Sequence, residues 1–219
     1  MKETGSMTVA RALRERFSCR HFLDREVPVS LIREIMADAF HSPSCENSQP
    51  WKVYVAGQRA MAQLREAYEA NRKQKLRPDL DRRFDGTWTR EMEPRIETFF
   101  NGLYEAEPRG NFDYTMQKRN LFYAPAMIFI CLDEGLPTWS VFDIGLFSQS
   151  LMLSAVEHGL ATMISAVSVS YPQTVRRVLG IPEHEKIFVG IGIGYADMEK
   201  PVNRFRTERK TTGEVSYVP

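Results

Sequence analysis

Two stretches of this chain gather side chains that could do chemistry. The first is Arg16-Phe17-Ser18-Cys19-Arg20, two guanidiniums four residues apart with a hydroxyl between them. If a helical turn continues through it, Arg16 and Arg20 lie on one side. Planar N–H forks match carboxylate and phosphate oxygens, so the trio would make an anion site. The competing reading is a solvated basic helix end that complements the helix dipole. The segment alone leaves both open. The second stretch is Ser42-Pro43-Ser44-Cys45-Glu46-Asn47-Ser48-Gln49-Pro50-Trp51. Its two prolines restrict the backbone. Its serines, Asn and Gln are more polar groups than a turn needs, and they present hydroxyls and amides to something flat and polar.

Other candidates are weaker. Asp143 stands near the start of an apolar helical stretch; it either favours the N-terminal dipole or faces a buried polar ligand. Cys45 has no identifiable base, and an unactivated thiol is a poor nucleophile at neutral pH. His21, His41, His158 and His184 show no metal-ligand spacing with each other or with a cysteine, so no metal is expected. Gly190-Ile191-Gly192-Ile193-Gly194 imitates a dinucleotide fingerprint. It lies within a strand, however, and Asp197-Met198-Glu199-Lys200-Pro201 opens no helix after it. Such glycines mark close packing. Arg72, Lys73, Lys75 and Arg77 are balanced by Asp79, Asp81 and Asp85 and read as a solvated face. Trp88, Phe99, Phe100, Tyr104, Phe112 and Tyr114 are read mainly as core, with a lid over a flat ligand as the alternative.

The elements that must position these groups follow from periodicity. Thr8 caps a first helix carrying Val9, Ala12 and Leu13 on one face. Ser30 is the expected N-cap of a second helix, with Leu31, Ile35, Met36 and Ala39 as its stripe up to Phe40. Trp51 to Ala56 reads as a strand, Gln58 to about Leu76 and Arg90 to Ala106 as helices, and Ala126 to Leu132 as a buried strand. The helix from Pro137 to His158 is apolar all round and must be covered on nearly every side, in part by a second copy of the chain. Ala161 to Val169 and Lys186 to Tyr195 are further strands, with a short helix from Pro172 to Leu179 between them. Irregular alternation of this kind gives a mixed α/β layer fold.

The 219 residues form a single domain, since nothing marks a boundary. A chain of this size buries about 70% of its unfolded surface. Net charge is +1, which gives no electrostatic footprint for nucleic acid or a membrane surface. Cys19, Cys45 and Cys131 form no disulfide framework, in keeping with a reducing, cytoplasmic setting. No signal-peptide pattern is seen, and the apolar run from Ile144 to Val156 is too short for a membrane span.

Taken together, Arg16-Phe17-Ser18-Cys19-Arg20-His21-Phe22, Val27-Pro28 and Ala39 to Trp51 resemble the N-terminal signature of the nitroreductase superfamily. Phe122-Tyr123-Ala124-Pro125, Gly159-Leu160, Leu179-Gly180-Ile181-Pro182 and Asn203-Arg204-Phe205-Arg206 extend the resemblance from about Val9 to Lys210. It implies an α+β, three-layer fold with a central, mostly antiparallel sheet flanked by helices. It also implies a homodimer with FMN sites at the subunit interface, a helical lid or insert over 57–115, and a C-terminal extension over 197–219 wrapping the partner. Carried over residue by residue, Arg16, Phe17 and Ser18 meet the FMN phosphate and ribityl end, and Arg20 the N1/O2 edge. Pro43, Ser44, Cys45, Asn47 and Gln49 supply loop contacts, with Ser44 and Cys45 serving the partner's flavin. Ile164, Ser165 and Ala166 lie where the family sets backbone amides against the ring, and Arg206 and Arg209 complete the phosphate clamp. Where one branch carries Pro-x-Glu-Gly and Gln, this chain has Ile164-Ser165-Ala166 and Asp143, which bears on substrate preference and flavin tuning.

The implied activity is flavin-centred, with no catalytic side chain. Hydride passes from NAD(P)H through FMN to a nitroaromatic, quinone or similar flat acceptor by a ping-pong mechanism. The alternatives are other chemistry of the superfamily, such as reductive dehalogenation, enoyl reduction or flavin destruction, and a non-catalytic flavin-binding sensor.

Overall fold

A computed structural model describes residues 7–81, 86–106 and 114–216. Asp85, the 108–111 loop and Phe112 lie outside the described residues. Four strands, β1 (Lys52–Ala56), β2 (Ala126–Asp133), β3 (Ala161–Ser165) and β4 (Glu185–Gly194), form one sheet in the order β1-β2-β4-β3, every pair antiparallel. The α+β expectation holds, and the mixed α/β alternative does not.

The layering follows from the period of two along β2. Met127, Phe129 and Cys131 point to one face, where they pack with Met61, Leu64 and Tyr68 of α3 (Gln58–Lys73) and Val175 of α7 (Pro172–Leu179). Ala126, Ile128, Ile130 and Leu132 point to the other, against Ile32, Ile35 and Met36 of α2 (Val29–Ala39) and Ile144, Phe147 and Leu151 of α6 (Trp139–Glu157). A strand covered on both faces reads as one continuous apolar run, as β2 does. α6 has 19 residues, close to the expected Pro137–His158 helix, and as a whole it is long and apolar enough to cross a membrane, unlike the Ile144–Val156 run alone. It is instead the long helix under the sheet, with Phe147, Leu151 and Ala155 fully buried.

Several boundaries depart from expectation for local reasons. α1 (Val9–Glu15) starts at its Thr8 cap, whose Oγ1 accepts the Arg11 N–H at 3.2 Å, but it stops at Glu15. α2 begins at Val29, after Pro28, with no side-chain cap. Ser30 falls inside its first turn, and the exposed N–H groups there are left to water. β3 ends at Ser165 because Ser168 Oγ donates back to the Ser165 carbonyl at 2.5 Å, closing a 3-10 turn over Ala166–Val169. Side-chain hydroxyls compete with the ladder in this way. α4 (Glu93–Glu105) starts later than expected, with Pro94 in its first turn. α5 (Tyr114–Arg119) was not foreseen.

The glycines of β4 are there for close packing, as read. A Cβ on Gly190 would stand 2.2 Å from Ser168 Oγ, and one on Gly194 would stand 2.6 Å from the Pro125 ring. The middle aromatics are not mainly core. Trp88, Phe100 and Tyr104 are exposed, and of α4 only Leu103 is fully buried. Phe99 and Tyr114 are half-buried and turn toward Arg20.

Candidate functional site

The two arginines of the first motif do share a side, but not on a helix. After Glu15 the chain is extended: Arg16 has φ −59 and ψ 128. Ser18 bridges Thr162 of β3 in parallel, and the Cys19 N–H donates to the Thr162 carbonyl at 2.9 Å. In extended chain the side chains alternate, so Arg16, Ser18 and Arg20 face one way. Cys19 faces the core and is fully buried.

These three side chains, with Phe17, line a cavity of about 440 Å³ whose far wall is Phe205, Arg206 and Arg209 of the tail and Phe99 of α4. Arg206 lies over the Phe17 ring at 4.0 Å. Burial, and then the charges of Arg209 and Arg206, push the Arg16 guanidinium below the ordinary arginine range. Cations that repel each other in a partly buried pocket are relieved by a bound anion. Arg20 is buried, with its guanidinium carbon 5.4 Å from the Phe99 centroid and 5.9 Å from that of Phe205. Its Nη1 donates to the Ser18 carbonyl at 3.1 Å, while its Nε is buried with no acceptor among the described residues. Burial lowers the Arg20 pKa, and the Tyr114 hydroxyl works in the opposite sense. A buried charged donor without an acceptor is costly, and a ligand acceptor would satisfy it. The arrangement suits an anion at the Arg16–Arg209 end and an electron-rich edge at Arg20. The solvated-helix-end reading is set aside.

The second motif is a separate cluster within the chain. Glu46, Asn47 and Gln49 adopt left-handed backbone, with φ of 53, 57 and 45°. Strain of this kind gathers at functional loops. The loop supports itself: the Gln49 N–H donates to Ser44 Oγ at 2.9 Å and Gln49 Nε2 donates to Asn47 Oδ1 at 3.1 Å. Asp143 does not take the first-turn dipole role, which leaves the reading in which it faces a polar ligand. It lies beyond the first turn of α6, and its Oδ1 accepts the Cys45 N–H at 3.2 Å. Its Oδ2 is buried with no hydrogen-bond partner among the described residues. Cys45, Gln49 and Asp143 line a second cavity of about 270 Å³ with Trp139 and Ser140. Pro43 is exposed and Ser44 half-buried.

The third expected group splits. Ile164 and Ala166 line an apolar cavity of about 390 Å³ against α6, whereas Ser165 is buried beneath it, its hydroxyl without a partner among the described residues. Within one chain the three groups therefore open into three cavities. Phe205 and Asn203 were quoted in a motif but given no role. Phe99 stood only among the aromatics of the middle stretch.

The thiols differ sharply. Burial pushes the Cys19 and Cys131 pKa values up to about 12, while Cys45 is exposed. A maleimide at neutral pH is therefore expected to label Cys45 first, and the other two only on unfolding, because the thiolate is the reactive form. Peptide mass spectrometry at partial labelling reads this out; early modification of Cys19 or Cys131 would contradict the packing described.

Residues 13–195 match the family model described as Nitroreductase family. The chain belongs to the nitroreductase family. Among curated relatives it is 30% identical to nitroreductase NfnB of Mycolicibacterium smegmatis, covering 94% of this chain and 90% of that one. It is 29% identical to a 4-nitrobenzoate reductase of Nocardioides sp., covering 90% of this chain and 84% of the relative. Its fold superposes on the FMN-dependent nitroreductase NfnB from Mycobacterium smegmatis, solved in complex with NADPH. That match has a TM-score of 0.87 at 29% identity, over 96% of this chain and 97% of the other. The nitroreductase fold expected from the sequence motifs is thus the fold observed.

Proposed function

We propose that this chain is an FMN-dependent oxidoreductase that takes hydride equivalents from NAD(P)H and reduces nitroaromatic acceptors, with quinones and similar flat acceptors as further substrates. The observation that carries this reading is the cavity in which Arg16, Arg206 and Arg209 crowd together beside the unsatisfied Nε of Arg20. The names of the relatives, an FMN-dependent enzyme bound to NADPH and a 4-nitrobenzoate reductase, give the chemistry.

The residues present fit FMN. A phosphate dianion would relieve the repulsion within the arginine cluster, and a carbonyl edge would accept from Arg20. Bound FMN supplies the reversible two-electron chemistry between nicotinamide and acceptor. The chain supplies position and field. Arg16, Arg206 and Arg209 hold the phosphate and Ser18 the ribityl chain. Arg20 holds positive charge at the N1/O2 edge, preorganised and largely shielded from water. No side chain is assigned as acid or base, and donor and acceptor alternate in one site.

The working unit is a homodimer. Pro43, Ser44, Cys45, Asn47, Gln49 and Asp143 face the partner's flavin, and the 164–166 segment lies against the chain's own, with Ile164 and Ala166 lining the cavity and Ser165 buried beneath. The separation of the loop and arginine clusters within one chain supports this. So does the apolar surface left bare on helices near them: Val9 at 71% and Leu13 at 50% exposed on α1, and Phe142 at 57% on α6. Bare area of this kind marks an interface. α4, with its exposed aromatics, is the cover over the site; residues 203–209 dock on the chain's own cavity, and residues 211–216 continue toward the partner.

Mixing the FMN-loaded protein with NADPH without oxygen tests the function. The yellow colour should bleach, and a nitrobenzoate added next should restore it in fixed stoichiometry. Varied donor and acceptor should give parallel double-reciprocal lines. A yellow protein indifferent to NADPH and NADH would leave a non-catalytic flavoprotein, and intersecting lines would exclude alternation in one site.

A further inference from the structure

We propose that Asn203 is the positioning residue for Arg20, so that docking of the tail and placement of positive charge at the flavin are one structural event. The proposal rests on the reading that Arg20 faces FMN.

Asn203 is fully buried and uses both ends of its amide. Its Oδ1 accepts the Arg20 backbone N–H at 2.8 Å. Its Nδ2 donates to the His21 carbonyl at 2.6 Å and to the Asp197 carbonyl at 2.8 Å. One side chain thus fixes the peptide groups of two consecutive residues of the extended segment and ties them to the chain just past β4. On the preceding residue the Cys19 N–H is held by Thr162. Arg20 therefore sits between two fixed backbone anchors, one from β3 and one from the tail.

The same short piece of tail then serves the Arg20 side chain. Phe205, two residues on, sets its ring beside the guanidinium, next to that of Phe99 from α4, with the two ring centroids 6.0 Å apart. Arg206 Nη1 donates to the Asn203 carbonyl at 2.7 Å, and its guanidinium enters the anion cavity. A Cβ on Gly102 would stand 2.6 Å from the Phe205 ring, so a glycine in α4 is what lets Phe205 lie there. Many residues could anchor a tail to a domain. This one anchors it on the Arg20 peptide itself. A charge aimed at a ligand edge loses its effect when its backbone drifts, and small misplacements are enough.

Asn203→Ala in the FMN-loaded enzyme is the test, with the two-electron midpoint potential as readout. The preference for the reduced over the oxidised cofactor should fall about tenfold, read as a drop of about 30 mV. Arg20→Ala should lower the potential further. Adding Asn203→Ala to Arg20→Ala should change nothing more, because the two act through one charge. Asp81→Ala is the control. Its carboxylate accepts the Ile187 N–H at the start of β4, about 20 Å along that strand from the Arg20 region. It should lose thermal stability and keep the wild-type potential. Should Asn203→Ala fail to fold, Asn203→Ser keeps a hydroxyl in the buried site but cannot bridge Arg20 and His21, and the same drop is expected. An unchanged potential in a folded Asn203 variant, or additive shifts in the double variant, overturns the proposal. Wild-type protein that takes up no FMN would instead overturn the functional reading.

Discussion

Replacing Arg16 and Arg209 together by alanine is expected to weaken FMN binding by about a thousandfold. Each guanidinium contributes a charge-assisted hydrogen bond to phosphate worth about 1.5–3 kcal/mol, and 1.4 kcal/mol is about tenfold. Both side chains line the same cavity. Arg209 reaches it from the tail, where its Nη1 donates to the Thr207 and Glu208 carbonyls at 3.1 and 3.0 Å. The single variants should each lose less than half of the total effect in logarithmic terms. Removing one cation relieves the repulsion that, second to burial, lowers the Arg16 pKa, so the loss is partly offset. Affinity should also fall with ionic strength in the parent and less steeply in the double variant. Equilibrium dialysis followed by flavin absorbance gives the numbers. A double variant that keeps its FMN through exhaustive dialysis would remove this cluster from the phosphate site.

Asp81→Ala is expected to cost about 3 kcal/mol of folding stability, because it leaves buried Arg176 with only the exposed Glu183 carboxylate, 3.7 Å from its Nε. Asp81 Oδ2 accepts from Arg176 Nη2 at 2.6 Å and from the Ile187 N–H at 2.8 Å, and Oδ1 accepts from Arg176 Nη1 at 3.1 Å. Arg176 Nη2 also donates to the Glu185 carbonyl at 2.6 Å. The pair is nearly inaccessible, with side-chain exposures of 4% and 10%. Burial opposes the charge on Arg176, yet the Asp81 carboxylate more than restores it, so its pKa is raised. The pair ties the segment after α3 to α7 and to the first residues of β4. Urea unfolding should show a lower midpoint with the same slope. A loss under about 1 kcal/mol, the range of surface pairs, would mean the pair is solvated in solution.

The sequence motifs carried the family and its fold, and they grouped Arg16, Ser18 and Arg20, but on the wrong element. Arg16, Ser18 and Arg20 were read as an anion trio because four-residue spacing could align them on a helix. They align because two-residue spacing aligns them on an extended edge. Either period brings positions i and i+4 near one side, so the right grouping emerged from the wrong element. β2 was legible because an uninterrupted apolar run has few other homes. β3 was overrun by four residues because a single hydroxyl, Ser168, ends it through a contact that apolar patterning does not encode. The aromatics of the middle stretch were misread as core. Burial there is decided by what lies opposite α4, and opposite it lies the tail, with Phe205 seated over Gly102. Asn203 was invisible for the same reason: its partners, Arg20 and His21, lie more than 180 residues away in sequence.

The affinities of FMN and riboflavin for the FMN-free protein, compared side by side, test most directly whether the crowded guanidiniums exist to hold a phosphate. The two ligands share the ring and the ribityl chain and differ only in the dianion. Three arginines at about 2 kcal/mol each predict that FMN binds on the order of ten-thousandfold more tightly at low salt. Equal affinities, or no uptake of either flavin, would contradict the account.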